Sequence, residues 1–262
     1  MKMLSKYKFY LISCCILLFI FITNWLTKEV NIAQLNVYDA FLELVVEDGA
    51  YTAIAVVIAA IIPTFDLSKN KNDAVDTSES LLDRYFTLRL QKSMGVGIVF
   101  LAANIFALLV CFVFASKSAV YTGLGYGQFG TFAYTRINSP IIYIIMYFVN
   151  CSLFGLLMNT FSRCFSDLTN RKHLVIIVSI LYYYSHIFLP FVLIQSDSFN
   201  VLACFFPGLF YGFMQYDLSF GQRLLGFTIM ILISFLLFYI SSFKKRFTEE
   251  VLEKESKRNY PF

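Results

Sequence analysis

The chain has 262 residues, of which 58% are hydrophobic, 18% aromatic and only 15% charged, against the roughly 25% charged residues of ordinary soluble domains. Its formal net charge of +4 comes from basic residues in short segments between long apolar blocks, where they act as topology signals rather than as a surface for nucleic acid. A soluble enzyme is excluded, because such a chain cannot hide its apolar surface in water.

No Asp, Glu, Lys or Arg occurs in residues 9–27, 49–65, 93–116, 137–162, 174–196 or 224–243. A helix needs about 20 apolar residues to cross a bilayer. These stretches predict an all-α integral membrane protein with six transmembrane helices in a single domain, 1–262.

Lys2, Lys6 and Lys8 precede the first stretch as they would in a signal peptide, and Leu11-Ile12-Ser13-Cys14 resembles a lipoprotein cleavage box. The apolar run from Cys15 through Ile22 follows that cysteine instead of preceding it, which predicts an uncleaved first span. Residues 26–48 carry one Lys against Glu29, Asp39, Glu43, Glu47 and Asp48, and are longer than a simple turn. Capture of a cationic cargo is one role open to them. The second stretch, 49–65, ends at Pro63; it tilts little, extends past Asp48, or stops within the headgroup region.

After a polar run from Ser68 to Asp73, Asp76 and Glu79 stand at capping-box spacing. Leu81, Tyr85 and Leu88 then share one helical face at i, i+4 and i+7. This pattern predicts a short amphipathic helix at the inner membrane surface, followed by Arg89 and Lys92 where the third span begins. Farther on, Gly123, Gly125, Gly127 and Gly130 mark 118–135 as a flexible outer loop. Gly125 to Gly130 matches GxGxxG, but a dinucleotide fingerprint must follow a strand and open a helix inside a βαβ unit, whereas this match lies in a predicted outer loop.

Asn104, Asn150, Asn159 and His186 are the polar side chains well inside spans; such groups pair helices or line a path for a ligand. No carboxylate falls in any predicted span, so a proton relay lacks its usual parts. Glu249-Glu250 lies in the charged tail, away from any intramembrane site. The six cysteines show no spacing that suits a metal. Phe205-Phe206-Pro207-Gly208 breaks the uncharged stretch 198–216, which predicts a re-entrant hairpin or an interfacial helix pair on the outer side.

With an inner N-terminus, 17 of the 21 Lys and Arg residues fall in 1–8, 66–92, 163–173 and 244–262, the segments that six spans place on one side. The positive-inside rule makes that side, and both termini, cytoplasmic.

This order of elements resembles the permease subunits of ABC-2 type ABC exporters: two spans, an inner amphipathic helix, four more spans, and a broken apolar segment before the last. Asp83 to Gly95 is similar to the basic segment that leads such permeases into their third span. Ser139-Pro140, Phe154-Gly155 and Phe161-Ser162-Arg163 match the fourth span, and Cys204 to Gly208 the outer re-entrant helices. The resemblance implies a multi-pass protein of a bacterial cell membrane, itself no enzyme, that exports an amphipathic cargo such as an antimicrobial peptide, drug or lipid-like molecule. It implies a coupling helix, with Glu79, Leu81, Leu82, Arg84, Tyr85, Leu88 and Arg89, docked on a separate ATPase. That ATPase would hold ATP and Mg, since this chain has no Gly-Lys-Ser/Thr phosphate loop and binds no cofactor. It further implies a second permease chain, identical or homologous. The competing expectation is a membrane scaffold or sensor that transports nothing.

Overall fold

A computed structural model describes residues 2–27, 31–46, 50–65, 80–121, 139–169, 171–193 and 220–259. Every regular element among them is helical. In chain order these are α1 (Lys2–Thr27), a 3₁₀ turn (Ile32–Gln34), α2 (Val37–Phe41) running into a π turn (Leu42–Val46), and α3 (Ala50–Ile61) ending in a 3₁₀ turn (Ile62–Phe65). Then come α4 (Leu81–Tyr85), a second π turn (Phe86–Leu90), α5 (Gln91–Phe114), α6 (Pro140–Thr169), α7 (Lys172–Leu193) and α8 (Phe220–Asn259).

Each of the six charge-free stretches overlaps a helix among the described residues. Four helical runs are long and apolar enough to cross a membrane: Tyr7–Thr27, Leu81–Phe114, Pro140–Thr169 and Leu224–Lys244. Ile54–Phe65 and Lys172–Tyr183 are shorter apolar helices. The outward faces stay apolar, with Phe19 69%, Val113 74% and Leu232 60% exposed, a surface that suits lipid and would aggregate in water.

Helix α6 is the hub, packing against α3, α5, α7 and α8. Pro140 opens it at the position where the missing N–H is harmless, and the Ser139 carbonyl accepts the amide of Tyr143. Two glycines let α5 approach. A Cβ on Gly155 would lie 2.7 Å from the buried Phe100 ring, and one on Gly97 would lie 3.0 Å from the Ser152 carbonyl. Small residues of this kind drive helix association in lipid, where the hydrophobic effect between helices is absent. Phe100, Phe154 and Tyr183 continue the contact as a ring series into α7.

Four features depart from the sequence expectation. The described part of the acidic segment between α1 and α3, residues 31–46, is a folded insert: Ile32, Val37, Ala40, Phe41 and Leu44 are buried, and α2 packs on α5. The amphipathic run from Leu81 is no separate surface helix but continues through the π turn into α5. Its N-cap is Ser80, whose hydroxyl accepts the Asp83 amide and donates to the Asp83 carboxylate, a pair at the same spacing four residues after the expected Asp76 and Glu79. Helix α6 runs past residue 162 to Thr169, and α8 past 243 to Asn259, because a charge ends an apolar stretch without ending a helix. Asp76, Glu79, the glycine-rich residues 122–138, and Phe205, Phe206, Pro207 and Gly208 lie outside the described residues.

Candidate functional site

At the end of the bundle where α3 and α6 finish and α5 begins, a polar cluster joins three elements. Asn159 is its centre. Its Oδ1 accepts the Ser93 hydroxyl at 2.9 Å and Nε of Arg163 at 2.7 Å, while its Nδ2 donates to the Ala60 carbonyl at 2.7 Å and to the Thr64 hydroxyl at 3.1 Å. Arg163 also donates to the Pro63 carbonyl at 2.8 Å, so the backbone oxygen at the proline-terminated end of α3 is satisfied inside the bundle.

One turn beyond, Arg89 donates through Nε to the Asp167 carboxylate at 2.6 Å, and both side chains are nearly buried. Its guanidinium lies 5.7 Å from the Phe238 ring of α8, within cation–π range. Asn159, Arg163 and Asp167 stand at i, i+4 and i+8, one face of α6. Neighbouring Tyr85 is buried among Phe235 and Phe238, with its hydroxyl 3.4 Å from the Ile231 carbonyl. Segment 81–90 is thereby tied to both α6 and α8.

The opposite face of this segment is open. Leu82 and Phe86, at i and i+4, are 53% and 46% exposed. Of the other residues expected to form the coupling element, Leu81, Arg84 and Leu88 are half-buried, with Leu81 against the Tyr85 cluster. Tyr85 and Arg89 therefore face the bundle, while Leu82 and Phe86 face away. Phe86 was not singled out by the heptad-like spacing, although its position one turn after Leu82 marks it.

Of the four polar residues expected to line a path, Asn104, Asn150 and Asn159 occupy separate places. Asn159 belongs to the cluster just described. Asn104, eleven residues along α5 from Ser93, is about 16 Å farther up the helix. It lines a cavity of about 40 Å³ between α1 and α5, with Leu17, Phe21, Asn24, Ala103 and Ala107. Asn150 is buried on α6, and its Nδ2 has no hydrogen-bond partner among the described residues. His186 continues α7. Arg163 and Asp167 were missed as members of the site because they were read as loop residues beyond the fourth span.

At the other end of the bundle the insert 31–46 is held by neutral donors. Asn24 donates to the Leu44 carbonyl at 3.1 Å and Tyr147 to the Val45 carbonyl at 3.3 Å, both acceptors in the π turn. The Ser116 amide donates to the Leu35 carbonyl at 2.9 Å, and Asn36 to the Ala119 carbonyl at 2.9 Å. Comparison of the chain with protein-family models, with curated proteins and with solved structures finds no match.

Proposed function

We propose that the chain is the membrane-spanning permease subunit of an ATP-driven exporter of the ABC-2 type, moving an amphipathic cargo outward by alternating access. The observation that carries this reading is the two-faced segment 81–90: Tyr85 and Arg89 anchor it to α8 and α6, while Leu82 and Phe86 are open. Because the segment is continuous with α5, a push on its open face moves α5, α6 and α8 together instead of bending a loop. That is the mechanical requirement for coupling closure of a separate ATPase, with its ATP and Mg, to reorientation of the spans. The working unit pairs two permease chains with two ATPase chains.

The docking contact is assigned to Leu82 and Phe86, since Arg89 is occupied by Asp167. Leu82→Glu combined with Phe86→Glu lowers ATP-driven export into inverted vesicles by roughly tenfold, the equivalent of about 1.4 kcal/mol of docking energy, at an unchanged thermal midpoint. Unchanged export by a stable variant would overturn the assignment. A function indifferent to ATP would favour the scaffold or sensor.

A further inference from the structure

Helices α1 and α5 pack together, with a specific contact near each end. Near the N-terminus of α1, the Tyr10 hydroxyl donates to the Lys92 carbonyl at 3.0 Å. Near its C-terminus, the Trp25 ring meets Phe114 edge-on at 5.1 Å. Fifteen residues separate these pins, about 22 Å of helix. Between them the small side chains Ala103 and Ala107 of α5 leave space unfilled, and a cavity of about 40 Å³ lies there, lined also by Asn104. Leu44 and Val45 of the insert close one side of it.

The cavity is apolar except for two amides. Asn104 is 8% exposed; its Nδ2 donates to the Phe100 carbonyl at 2.8 Å, and its Oδ1 has no donor among the described residues. Asn24 is arranged alike, with Nδ2 on the Leu44 carbonyl and Oδ1 without a donor among the described residues. Among the described residues, no Asp, Glu, Lys, Arg or His lines the space. Two amide acceptors in an apolar, uncharged pocket select a neutral hydrogen-bond donor over an ion, because an unpaired charge at this depth is costly to desolvate. The space holds on the order of three waters, or one hydroxyl with the two or so carbons next to it.

We infer that the α1–α5 seam is a binding site for the hydroxyl-bearing end of a neutral amphipathic alcohol, whose O–H donates a hydrogen bond to Oδ1 of Asn104, with Oδ1 of Asn24 as the alternative acceptor. The rest of such a molecule lies along the apolar seam. The site goes beyond the export reading and stands without it, since it needs no ATPase and no transport step.

The test uses the full chain in phosphatidylcholine nanodiscs, photolabelled with a diazirine-bearing octanol and, in parallel, with the corresponding diazirine octane that lacks the hydroxyl. Mass spectrometry is expected to place the octanol label on residues 17–24 and 103–107, with the octane giving only diffuse labelling of lipid-facing positions. Asn104→Ala is expected to lower the seam labelling about tenfold, the loss of one hydrogen bond, and Ala107→Phe to abolish it by filling the space. Equal labelling by both probes would overturn the site, as would seam labelling that survives Ala107→Phe. Absence of seam labelling by octanol in the unsubstituted chain would do the same, leaving a cavity that holds water only. The probe comparison on the unsubstituted chain decides the matter even where a variant fails to fold.

Discussion

The two ends of the bundle are fastened by different chemistry. Where α3 and α6 end, charged side chains cross between helices: Arg89 meets Asp167, and Arg163 meets Asn159 and the Pro63 carbonyl. Where the insert 31–46 sits, two side-chain amides, a phenol and a backbone N–H donate to backbone carbonyls, beside the contacts of the carboxylates Asp39 and Glu43. The charged end concentrates strong, directional contacts on the element that the proposed ATPase would push. The neutral donors at the insert make bonds of ordinary strength on an element between α1 and α3.

Removing one charge should break this contrast most severely. Asp167→Asn leaves Arg89 nearly buried without its carboxylate, and is expected to destabilise the bundle by about 3–5 kcal/mol, whereas Arg89→Met with Asp167→Leu recovers most of that loss. Chemical unfolding in detergent measures both, and equal destabilisation by the single and double variants would refute the ion pair as the fastening. Asn159→Leu comes next. It strips partners from Ser93, Thr64 and one Arg163 nitrogen, for an expected loss of about 1–3 kcal/mol on the same unfolding curve. Tyr147→Phe removes a single neutral bond to the Val45 carbonyl and should cost about 0.5–1.5 kcal/mol. Its sharper readout is amide hydrogen exchange, expected to rise in 42–46 and to stay constant in 86–90. A uniform rise in both π turns would erase the distinction between the two ends.

The helices were legible because the absence of charge is a nearly sufficient signal in a chain that must sit in lipid; Ser139-Pro140 marked the start of α6 to the residue. That rule fails where a charge is satisfied inside the bundle. Arg163 and Asp167 ended the predicted fourth span, yet their i+4 and i+8 spacing from Asn159 showed that all three share a face. The insert was hidden by its carboxylates in the same way. Val37, Ala40, Phe41 and Leu44 follow the i, i+3, i+4, i+7 pattern of a buried helical stripe, and all are buried, but Asp39 and Glu43 drew the reading toward a loop. For the candidate site, the spacing placed Tyr85 and Arg89 in one helical segment but did not give the direction they face. Spacing says which residues share a face; it does not say whether that face meets the bundle or a partner. The contacts of Tyr85 with Phe235 and Phe238 join positions roughly 150 apart in the chain, beyond the reach of any local pattern.

The central claim is that the open face of segment 81–90 receives an ATP-binding subunit. The most direct measurement is purification of the chain in mild detergent from its native host, followed by quantitation of co-purifying ATPase. The account predicts a stoichiometric complex with an ATP-hydrolysing chain, lost on Leu82→Glu with Phe86→Glu and retained on Tyr147→Phe. A chain that emerges alone, under conditions that preserve other membrane complexes of that host, would contradict it.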